Sequence, residues 1–464
     1  MPSKDGRRFD RHNPADPQEL VARFALGGAA DVAAAVAAAK QAFPAWRDLP
    51  MPARGVIIAA AGRIMARRAE ELAQALTWEE GKALAESRQE VGRAIGYLEF
   101  IAGEGRRLNS DVMPADAPGL NYTRRKPLGV VGLITPWNFP VNIPTLKSAP
   151  ALLAGNTVVL KPSELSPLTA AILAEIYTEA GVPAGVFNLV QGAEEAGKAL
   201  VAHPDVKAIT FTGSTEVGRH INQQAAARFA KCQLEMGGKN PSIILEDADL
   251  DRAAADVALG GFSVSGQRCN ANSLVFVARS VFDAFAAKLI DKAKAIKVGH
   301  GLDETVHMGP LVEPSARERV QGYLDRARAD GAQVLFSAEV PAGEGYFLGP
   351  TVVTGLPASH AICCEELFGP VIALVPVDGM EEAIGHANQL PYGLASSVYT
   401  RDVAKAMRYS ETMESGLLHI NCPTTVSELQ MPYGGLKESG HGGREMGRYG
   451  LEFFTELQAV YLRY

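Results

Sequence analysis

Residues 128–136 read LGVVGLITP, a short apolar run rich in β-branched residues that stops at a proline. Similar short apolar runs occur in NTVVLKPS (156–163), VFNLVQG (186–192) and AITFTGS (208–214). Stretches with a helical pattern, such as SPLTAAILAEIYTEAG (166–181), lie between these runs. Buried runs that alternate with helices predict a parallel, doubly wound sheet. Such sheets bind ligands at the carboxyl ends of their strands, and Pro, Gly, Ser and Thr cluster there in this chain.

The alternation of strands and helices starts again after about residue 240, which predicts a second α/β domain. The runs that carry this prediction are PSIIL (241–245), SLVFVA (273–278), VIALVPV (371–377), GLASSVYT (393–400) and GLLHIN (416–421). The first hundred residues are instead Ala-rich, with apolar and charged faces at helical spacing, and predict helices.

Composition argues against several classes of protein. The chain has 464 residues, which suggests two or three domains, and a net charge of −7, which argues against nucleic acid or an anionic membrane as the main partner. The uncharged stretch 128–146 contains prolines and asparagines and therefore predicts no membrane span. The polar N-terminal residues 1–16 lack the apolar segment of a secretory signal. Five scattered cysteines predict no disulfide framework, no metal site and a cytoplasmic location.

One cysteine, in FSVSGQRCNANS (262–273), is the first candidate for chemistry. Free cysteines are among the most buried residues and are usually inert, so a structural thiol is the default interpretation of Cys269. A thiolate is nevertheless a strong nucleophile, and the small residues on both sides of Cys269 would leave room for a substrate. This segment alone leaves both alternatives open.

Two further segments carry side chains suited to catalysis. Glu235 lies between Leu234 and Met236, and apolar surroundings would raise its pKa towards that of a general base. The alternative is an exposed glutamate at the end of a strand. Asn138 lies in the proline-stiffened turn TPWNFP, where its amide could donate to a developing oxyanion. The alternative there is an asparagine that caps its own turn.

The ends of two other strands carry groups suited to a dinucleotide. Lys161 and Glu164 in VLKPSE could bond a phosphate or ribose hydroxyls. Gly213 and Ser214 in FTGSTEVG begin a helix, whose free N–H groups attract phosphate, although GxxxxG is not the GxGxxG fingerprint. Taken alone, Glu366 in EELFGPV is a loop carboxylate.

In combination and in this order, the segments resemble the aldehyde dehydrogenase superfamily along nearly the whole chain. The resemblance rests on TPWNFP, KPSE, FTGSTEVG, LEMGGKNP, GQRC and EELFGPV. It implies an α/β, aldehyde dehydrogenase-like fold with a Rossmann-like cofactor domain (1–105 and 127–237), an α/β catalytic domain (238–450) and a β oligomerisation element (106–126 and 451–464). It also implies a homodimer or a homotetramer.

The resemblance further implies a role for each candidate residue. Cys269 is the nucleophile that forms a thiohemiacetal and then a thioester, and the Asn138 amide helps to form the oxyanion hole. Glu235 activates the water that hydrolyses the thioester, with Lys147 and Glu445 as a proton relay behind it. The implied cofactor-binding residues are Thr135, Pro136, Trp137, Lys161, Ser163, Glu164, Gly213, Ser214, Glu366 and Phe368.

Cofactor and substrate preferences follow from charge. Glu164 would repel the 2′-phosphate of NADP and accept bonds from free ribose hydroxyls, which favours NAD, while Lys161 keeps NADP possible. The sequence most resembles bacterial α-ketoglutaric semialdehyde dehydrogenases, with succinate semialdehyde enzymes also near. A carboxylated substrate calls for a cation at the pocket, and Arg124, Arg125 and Arg268 are the candidates.

Several alternatives stay open. An aromatic or aliphatic aldehyde remains a possible substrate, and the segment NCPTTVSELQMPYGG (421–435) is expected to line the pocket entrance. Acylating relatives that transfer the thioester to coenzyme A generally lack the hydrolytic carboxylate, and silent scaffolds usually lose the nucleophile or a cofactor ligand. This chain keeps all of these groups.

Both ends of the chain raise a separate question. Relatives usually begin with an apolar strand ahead of the NPAD-like segment, so the first hairpin is expected to be missing or shortened. The C-terminal tail GLEFFTELQAVYLRY (450–464) predicts an edge strand that pairs either in another subunit or in its own domain.

Overall fold

The computed structural model describes residues 3–108 and 110–464. Met1, Pro2 and Asn109 lie outside the described residues, and Asn109 falls within the expected oligomerisation element. The strands are β1 (Arg8–Asn13), β2 (Asp16–Ala25), β3 (Val112–Met113), β4 (Gly119–Pro127), β5 (Val130–Ile134), β6 (Thr157–Lys161), β7 (Phe187–Leu189), β8 (Val206–Gly213), β9 (Lys231–Met236), β10 (Asn240–Ile244), β11 (Asn272–Ala278), β12 (Gln333–Ser337), β13 (Thr351–Thr354), β14 (Val371–Val377), β15 (Tyr392–Gly393), β16 (Ala395–Tyr399), β17 (Leu417–Ile420), β18 (Leu436–Lys437), β19 (Gly440–Gly442) and β20 (Thr455–Arg463).

Helices cover both faces of the two large sheets. They are α1 (Ala29–Asp48), α2 (Met51–Arg67), α3 (Ala69–Glu80), α4 (Leu84–Glu104), α5 (Asn142–Ala154), α6 (Pro167–Glu179), α7 (Glu194–Ala202), α8 (Thr215–Ala226), α9 (Leu250–Phe262), α10 (Phe282–Lys294), α11 (Pro314–Ala329), α12 (Ala361–Cys364), α13 (Met380–Gln389), α14 (Val403–Thr412) and α15 (Gly447–Phe453).

The first large sheet has the strand order β19-β9-β8-β5-β6-β7, and all neighbours are parallel except β19 and β9. From β5 the chain runs outward to β6 and β7, and then returns so that β8 pairs with the other side of β5. This reversal creates a crevice at the carboxyl ends of β5 and β8, where open α/β sheets bind ligands. Every residue of β5 and β6 is buried, which explains their unbroken apolar runs.

The second large sheet has the order β12-β13-β14-β11-β10-β16-β17 and is parallel except for the β12–β13 pair. Two apolar cores lie against it, one centred on α11, α13 and α14 and the other on α9 and α10. The first sheet likewise separates a core with α2–α6 from a core with α1 and α7. The structure therefore confirms two α/β units with helices on both faces.

A three-stranded antiparallel sheet, β20-β4-β3, is formed by residues from the two segments of the expected oligomerisation element. β20 pairs with β4 along its whole length, from Thr455 opposite Pro127 to Arg463 opposite Gly119. The tail thus finds a partner strand in its own chain. Several apolar side chains of this sheet are exposed, among them Val112, Tyr461 and Leu462.

The structure corrects two expectations for the N-terminal region, namely that the first hairpin is missing and that the whole region is helical. A β-hairpin is present, because β1 and β2 pair across Pro14 and Ala15, and Phe9 packs on Phe24 with ring centroids 5.8 Å apart. Residues 8–25 are therefore not helical, although α1 to α4 occupy most of the remaining first hundred residues. The hairpin is largely exposed on one side, so it needs only alternate apolar residues and shows no continuous apolar run.

None of the helices in residues 3–108 and 110–464 has the length and apolar character needed to cross a membrane. The uncharged stretch 128–146 forms β5, a turn and the first part of α5.

One buried amide joins three parts of the first unit. The Asn156 side-chain oxygen accepts hydrogen bonds from the backbone N–H groups of Leu128 (2.7 Å) and Gly129 (3.0 Å). Its nitrogen donates to the carbonyl oxygens of Ala151 (3.1 Å) and Phe454 (2.9 Å). Asn156 thus connects the entry to β5, the end of α5 and the segment that leads into β20.

We expect Asn156→Ala to lower the free energy of unfolding by about 2–4 kcal/mol, since several buried groups lose their partners together. The measurement is urea denaturation followed by circular dichroism. Asn222→Ala is the matched control, because the half-exposed Asn222 on α8 makes no side-chain hydrogen bond within the described residues. A variant at position 156 as stable as this control would contradict the prediction.

Candidate active site

Cys269 follows a strained turn between α9 and β11. Val264, Ser265 and Gly266 all adopt left-handed backbone conformations, with φ of 52°, 55° and 68°. Such conformations cost about 1–3 kcal/mol for a side chain-bearing residue, so the surroundings must hold the turn. The Val264 N–H donates to Glu86 (2.6 Å), and the Ser265 hydroxyl donates to the Gly309 carbonyl (2.7 Å).

Gly266 has a steric role as well. A Cβ at this position would lie 2.2 Å from the carbonyl oxygen of Gly369, so the turn packs directly against the backbone of the β13–β14 region. The small residues before Cys269 therefore serve close packing of the turn, in addition to leaving the cysteine accessible. The turn fixes the cysteine at the junction of the two large sheets.

Cys269 borders a cavity of about 90 Å³ instead of lying inside an apolar core. The Cys269 sulfur lies 3.2 Å from the Tyr433 hydroxyl oxygen. Burial raises the pKa of the Cys269 thiol to about 11, and the nearby Glu366 and Glu235 add to this effect. The cavity walls are formed by Arg93, Phe139, Asn142, Ile143, Leu146, Thr212, Glu235, Met236, Arg268, Cys269, Asn270, Ser427, Tyr433, Glu445 and Met446.

Glu235 lies on β9 and faces the same cavity. Its side chain is buried, and one carboxylate oxygen has no hydrogen-bond partner within the described residues. Burial raises the pKa of Glu235 well above its ordinary value, the neighbouring Glu445 raises it further, and Lys147 opposes the shift. A carboxyl with a raised pKa and a free oxygen directed at a cavity suits proton transfer to and from water.

The Gly237–Gly238 pair that follows Glu235 provides space more than flexibility. A Cβ on Gly237 would lie 2.0 Å from a carboxylate oxygen of Glu366, and the Gly238 N–H donates to the other oxygen (3.1 Å). Burial raises the pKa of Glu366 to about 7. The glycine pair therefore lets Glu366 lie directly against the end of β9.

Lys147 and Glu445 form a buried ion pair behind Glu235. Lys147 also donates to the Thr210 hydroxyl (2.9 Å), which in turn donates to the Gln233 side-chain oxygen (2.9 Å). Glu445 reaches the cavity wall, whereas Lys147 reaches it only through Glu445. The network connects α5, β8 and β9 with the chain just before α15.

Asn138 does not cap its own turn. Its side-chain nitrogen donates to the Gln267 carbonyl oxygen (2.9 Å), two residues before Cys269. Asn138 itself is not part of the cavity wall, but the adjacent Phe139 is. The amide is therefore connected to the loop that carries the cysteine.

A buried ion pair on the first unit holds the Asn138 turn. Lys82 lies 2.7 Å from Glu90, donates to the Asn138 carbonyl oxygen, and has its ammonium 4.4 Å from the centre of the Phe139 ring. Glu90 also accepts from the backbone N–H groups of Val141 (2.8 Å) and Asn142 (3.0 Å) at the start of α5. The turn is thus fixed by charge as well as by its prolines.

The expected cofactor residues at the end of β6 are close together. The Lys161 ammonium donates to the Gly192 carbonyl (2.8 Å) and lies 3.6 Å from Glu164. Burial lowers the pKa of Lys161, while Glu164 is about half exposed. The Ser163 hydroxyl accepts from the Leu165 N–H (3.2 Å) and shapes this turn.

The other expected cofactor residues lie along the same edge, at the ends of β5 and β8 and beside β9. Ser214 caps α8 directly after Gly213, and Pro136 and Trp137 follow Thr135 at the end of β5. Trp137 meets Phe368 edge to face, with ring centroids 5.6 Å apart.

These residues fit a dinucleotide. The Thr135 hydroxyl is buried without a partner within the described residues, so a polar group can still be accommodated there. A helix N-terminus for phosphate, a lysine–glutamate pair for a ribose and an aromatic pair between the two units complete the set.

Only one of the three arginines expected to bind a carboxylate lies at the cavity. Arg268 lines the cavity, but Arg124 and Arg125 lie on β4, where they bond Gln458 and Thr455 of β20. Arg93 of α4 also lines the cavity and was missed, since nothing in a helical sequence shows that α4 passes the cysteine. The expected contribution of the segment 421–435 is confirmed, as Ser427 and Tyr433 form part of the wall.

Comparison with known proteins gives one consistent result. The sequence profile of the aldehyde dehydrogenase family matches residues 1–460. The chain belongs to the aldehyde dehydrogenase family. The predicted class of enzyme and its use of a nicotinamide cofactor are thereby confirmed.

Individual relatives are similar over nearly their whole length. The chain is 42% identical to an α-ketoglutaric semialdehyde dehydrogenase of Bacillus subtilis, over 99% of this chain and 96% of that protein. It is 38% identical to a 2,5-dioxopentanoate dehydrogenase of Saccharolobus solfataricus, over 98% of this chain and 96% of that protein. The crystal structure of PnpE in complex with nicotinamide adenine dinucleotide superimposes with a TM-score of 0.96 at 38% identity, covering 99% and 95% of the two chains. The predicted aldehyde dehydrogenase-like α/β fold is confirmed.

We expect Lys82→Met to lower the free energy of unfolding by about 3–5 kcal/mol, because it leaves the buried Glu80 and Glu90 without their cation. Denaturant unfolding measures the loss. Lys198→Met is the matched control, since Lys198 pairs with Glu194 on the surface and the same change there should cost less than about 1 kcal/mol. Equal effects in the two variants would show that the buried pair does not hold the turn.

Proposed function

We propose that the protein oxidises a carboxylated semialdehyde, α-ketoglutaric semialdehyde, to the corresponding dicarboxylic acid with NAD and water. The observation that carries the substrate proposal is the presence of two arginines, Arg93 and Arg268, in the wall of the cavity beside Cys269. The similarity to relatives named for this semialdehyde, which is the same compound as 2,5-dioxopentanoate, agrees with it.

Neither arginine forms a salt bridge within residues 3–108 and 110–464. Arg93 donates to the backbone and hydroxyl oxygens of Ser427 (both 2.8 Å), which are neutral acceptors. Arg268 donates to the Ser263 hydroxyl (3.2 Å), and its buried Nε has no partner among the described residues. Burial lowers the pKa of both guanidinium groups, and the charge of Arg268 lowers the pKa of Arg93 further. Two poorly solvated cations at one cavity favour an anionic ligand group.

The reaction we propose begins at Cys269. Its sulfur attacks the aldehyde carbon, and a thiohemiacetal forms whose oxygen is stabilised by the Asn138 amide. This requires the Asn138 nitrogen to exchange the Gln267 carbonyl for the substrate oxygen. A preorganised donor of this kind is typically worth about 3 kcal/mol of transition-state stabilisation.

Loss of hydride converts the adduct into a thioester, which Glu235 then helps to hydrolyse. NAD, held by the residues at the nucleotide edge, would supply the acceptor for this hydride. The free carboxylate oxygen of Glu235 takes one proton from a water in the cavity, and the water oxygen attacks the thioester carbon, so that the C–S bond breaks and the carboxylic acid and the Cys269 thiolate are released. Glu445 and Lys147 offer a path for that proton away from the site. The presence of this carboxylate favours hydrolysis over transfer to coenzyme A.

We further propose that residues 1–105 and 127–237 form the domain that binds the dinucleotide and that residues 238–450 form the catalytic domain. Lys161 and Glu164 would hold the adenosine ribose, and the half-exposed Glu164 favours NAD over NADP by repelling a 2′-phosphate. Gly213 and Ser214 would contact the pyrophosphate.

We also propose that the protein is a homo-oligomer and that it is located in the cytoplasm. The exposed apolar side chains on the sheet formed by β3, β4 and β20 support a homodimer or homotetramer assembled through residues 106–126 and 451–464. All five cysteines are free, which supports a reducing, cytoplasmic location.

Two variants separate the steps of this mechanism. We expect Cys269→Ala to abolish NADH formation while binding NAD with unchanged affinity, because the nucleophile is lost and the nucleotide edge is intact. Glu235→Gln should retain a rapid first turnover and slow the steady state by at least about 100-fold, since only the hydrolytic base is removed. Stopped-flow and steady-state absorbance at 340 nm measure both phases. Turnover by the Ala variant would contradict the thiol mechanism.

The substrate is tested by Arg93→Met with α-ketoglutaric semialdehyde and hexanal, each with NAD and with NADP. We expect kcat/KM for the carboxylated aldehyde to fall by about 30-fold or more, because a buried charge-assisted bond is lost, and kcat/KM for hexanal to change by less than about threefold. Arg124→Met is the matched control and should leave both values unchanged, since Arg124 lies on the small sheet. A parallel loss for both aldehydes would discard the carboxylate assignment and leave the thiol mechanism standing.

A further inference from the structure

The hydroxyl of Tyr433 is a polar group at the nucleophile that the mechanism above does not use. Its oxygen lies 3.2 Å from the Cys269 sulfur, within hydrogen-bond range for sulfur, and no other side chain within the described residues hydrogen-bonds that sulfur. The contact joins residues 164 positions apart in the chain. It exists only because the segment 421–435 folds back over the cavity.

The structure holds Tyr433 in place from its backbone. The Tyr433 N–H donates to the Glu445 carbonyl oxygen, and the Glu445 N–H donates to the Tyr433 carbonyl oxygen, both at 2.8 Å. The next residue, Gly434, has φ of +149°, and a Cβ there would lie 2.4 Å from a carboxylate oxygen of Glu235. On the other side, Arg93 secures Ser427 to α4. The tyrosine is thus anchored between the proposed nucleophile and the proposed base.

We propose that Tyr433 is a positioning residue for Cys269, whose hydroxyl donates a hydrogen bond to the sulfur and thereby favours and orients the thiolate. The inference rests on the proposed role of Cys269 as the nucleophile. A phenylalanine would fill the same space and line the same cavity, but it would leave the thiolate without this donor.

The electrostatics of the site explain why a donor is needed. The charged and titratable groups that face the sulfur are Glu366, Glu235 and Arg268, with Arg93 and Glu445 farther along the cavity wall. Burial and the two nearer carboxylates raise the pKa of the Cys269 thiol, whereas the tyrosine hydroxyl and Arg268 lower it. Burial raises the pKa of Tyr433 well above its ordinary value, so its hydroxyl keeps its proton and remains a donor.

The test is alkylation of Cys269 by iodoacetamide in the full-length protein between pH 7 and 9, followed by mass spectrometry of the peptide that contains it. We expect Tyr433→Phe to raise the thiol pKa by about one unit, or about 1.4 kcal/mol, which appears as an alkylation rate about tenfold slower at each pH. The substitution removes an atom and opens the approach to the sulfur, so a slower rate cannot come from crowding. We expect kcat/KM for hexanal to fall by a similar factor, with NAD affinity unchanged.

Tyr449→Phe is the matched control, because it makes the same chemical change at an exposed tyrosine on α15 and should leave alkylation unchanged. Thermal melting of each variant shows that the comparison is between folded proteins. An equal or faster alkylation rate in Tyr433→Phe would overturn the inference. If in addition Cys269→Ala remains inactive, the proposed function stands and only the role of Tyr433 fails.

Discussion

The buried ion pair between Lys82 and Glu90 is the interaction on which the geometry of the site depends. Lys82 holds the backbone carbonyl of Asn138, and Glu90 caps the start of α5 through the N–H groups of Val141 and Asn142. Because α5 carries Lys147, the same pair also helps to position the Lys147–Glu445 ion pair behind Glu235. Breaking a buried pair leaves an uncompensated charge, so the helical N-terminal region is directly coupled to the catalytic turn.

A second constraint is the cost of bringing three acidic or nucleophilic groups into one poorly solvated place. Glu235, Glu366 and Cys269 all have pKa values above their ordinary range, chiefly because of burial, and the two carboxylates also raise the pKa of the Cys269 thiol. Of the three, the Glu366 carboxyl has its pKa raised to about 7, close to neutral pH. The cations needed for balance come from other elements, namely Lys147 from α5 and Arg268 from the cysteine loop.

The strained turn before Cys269 depends both on a local sequence motif and on contacts with residues that are distant in the chain. The sequence GQRC contains the proposed nucleophile, but a valine at φ of 52° is an unfavourable choice for such a turn. The conformation is held by Glu86 from α4 and by the Gly309 carbonyl, neither of which is near in the chain. The strained turn is therefore supported partly from the first unit, through Glu86, and partly from its own unit, through Gly309.

The order of strands and helices from residue 128 onward was predictable from the sequence. Fully buried parallel strands appear in a sequence as unbroken apolar runs that are bounded by turn residues. Cys269, Glu235 and Asn138 each kept a structural alternative when taken alone, and the combination of motifs in family order made them the candidates. The half-exposed hairpin of β1 and β2 was not predictable in this way, because it shows no continuous apolar run. The fold class and the family thus followed from the sequence alone, and the reactive groups were proposed from it.

Only the tertiary structure decided which distant side chains meet those groups. It excluded Arg124 and Arg125 from the cavity, brought Arg93 to it from α4, and set the Tyr433 hydroxyl against the sulfur. The physical reason is that motifs are local in the chain, whereas the charge, solvation and hydrogen bonding of a reactive group depend on residues brought near it by packing.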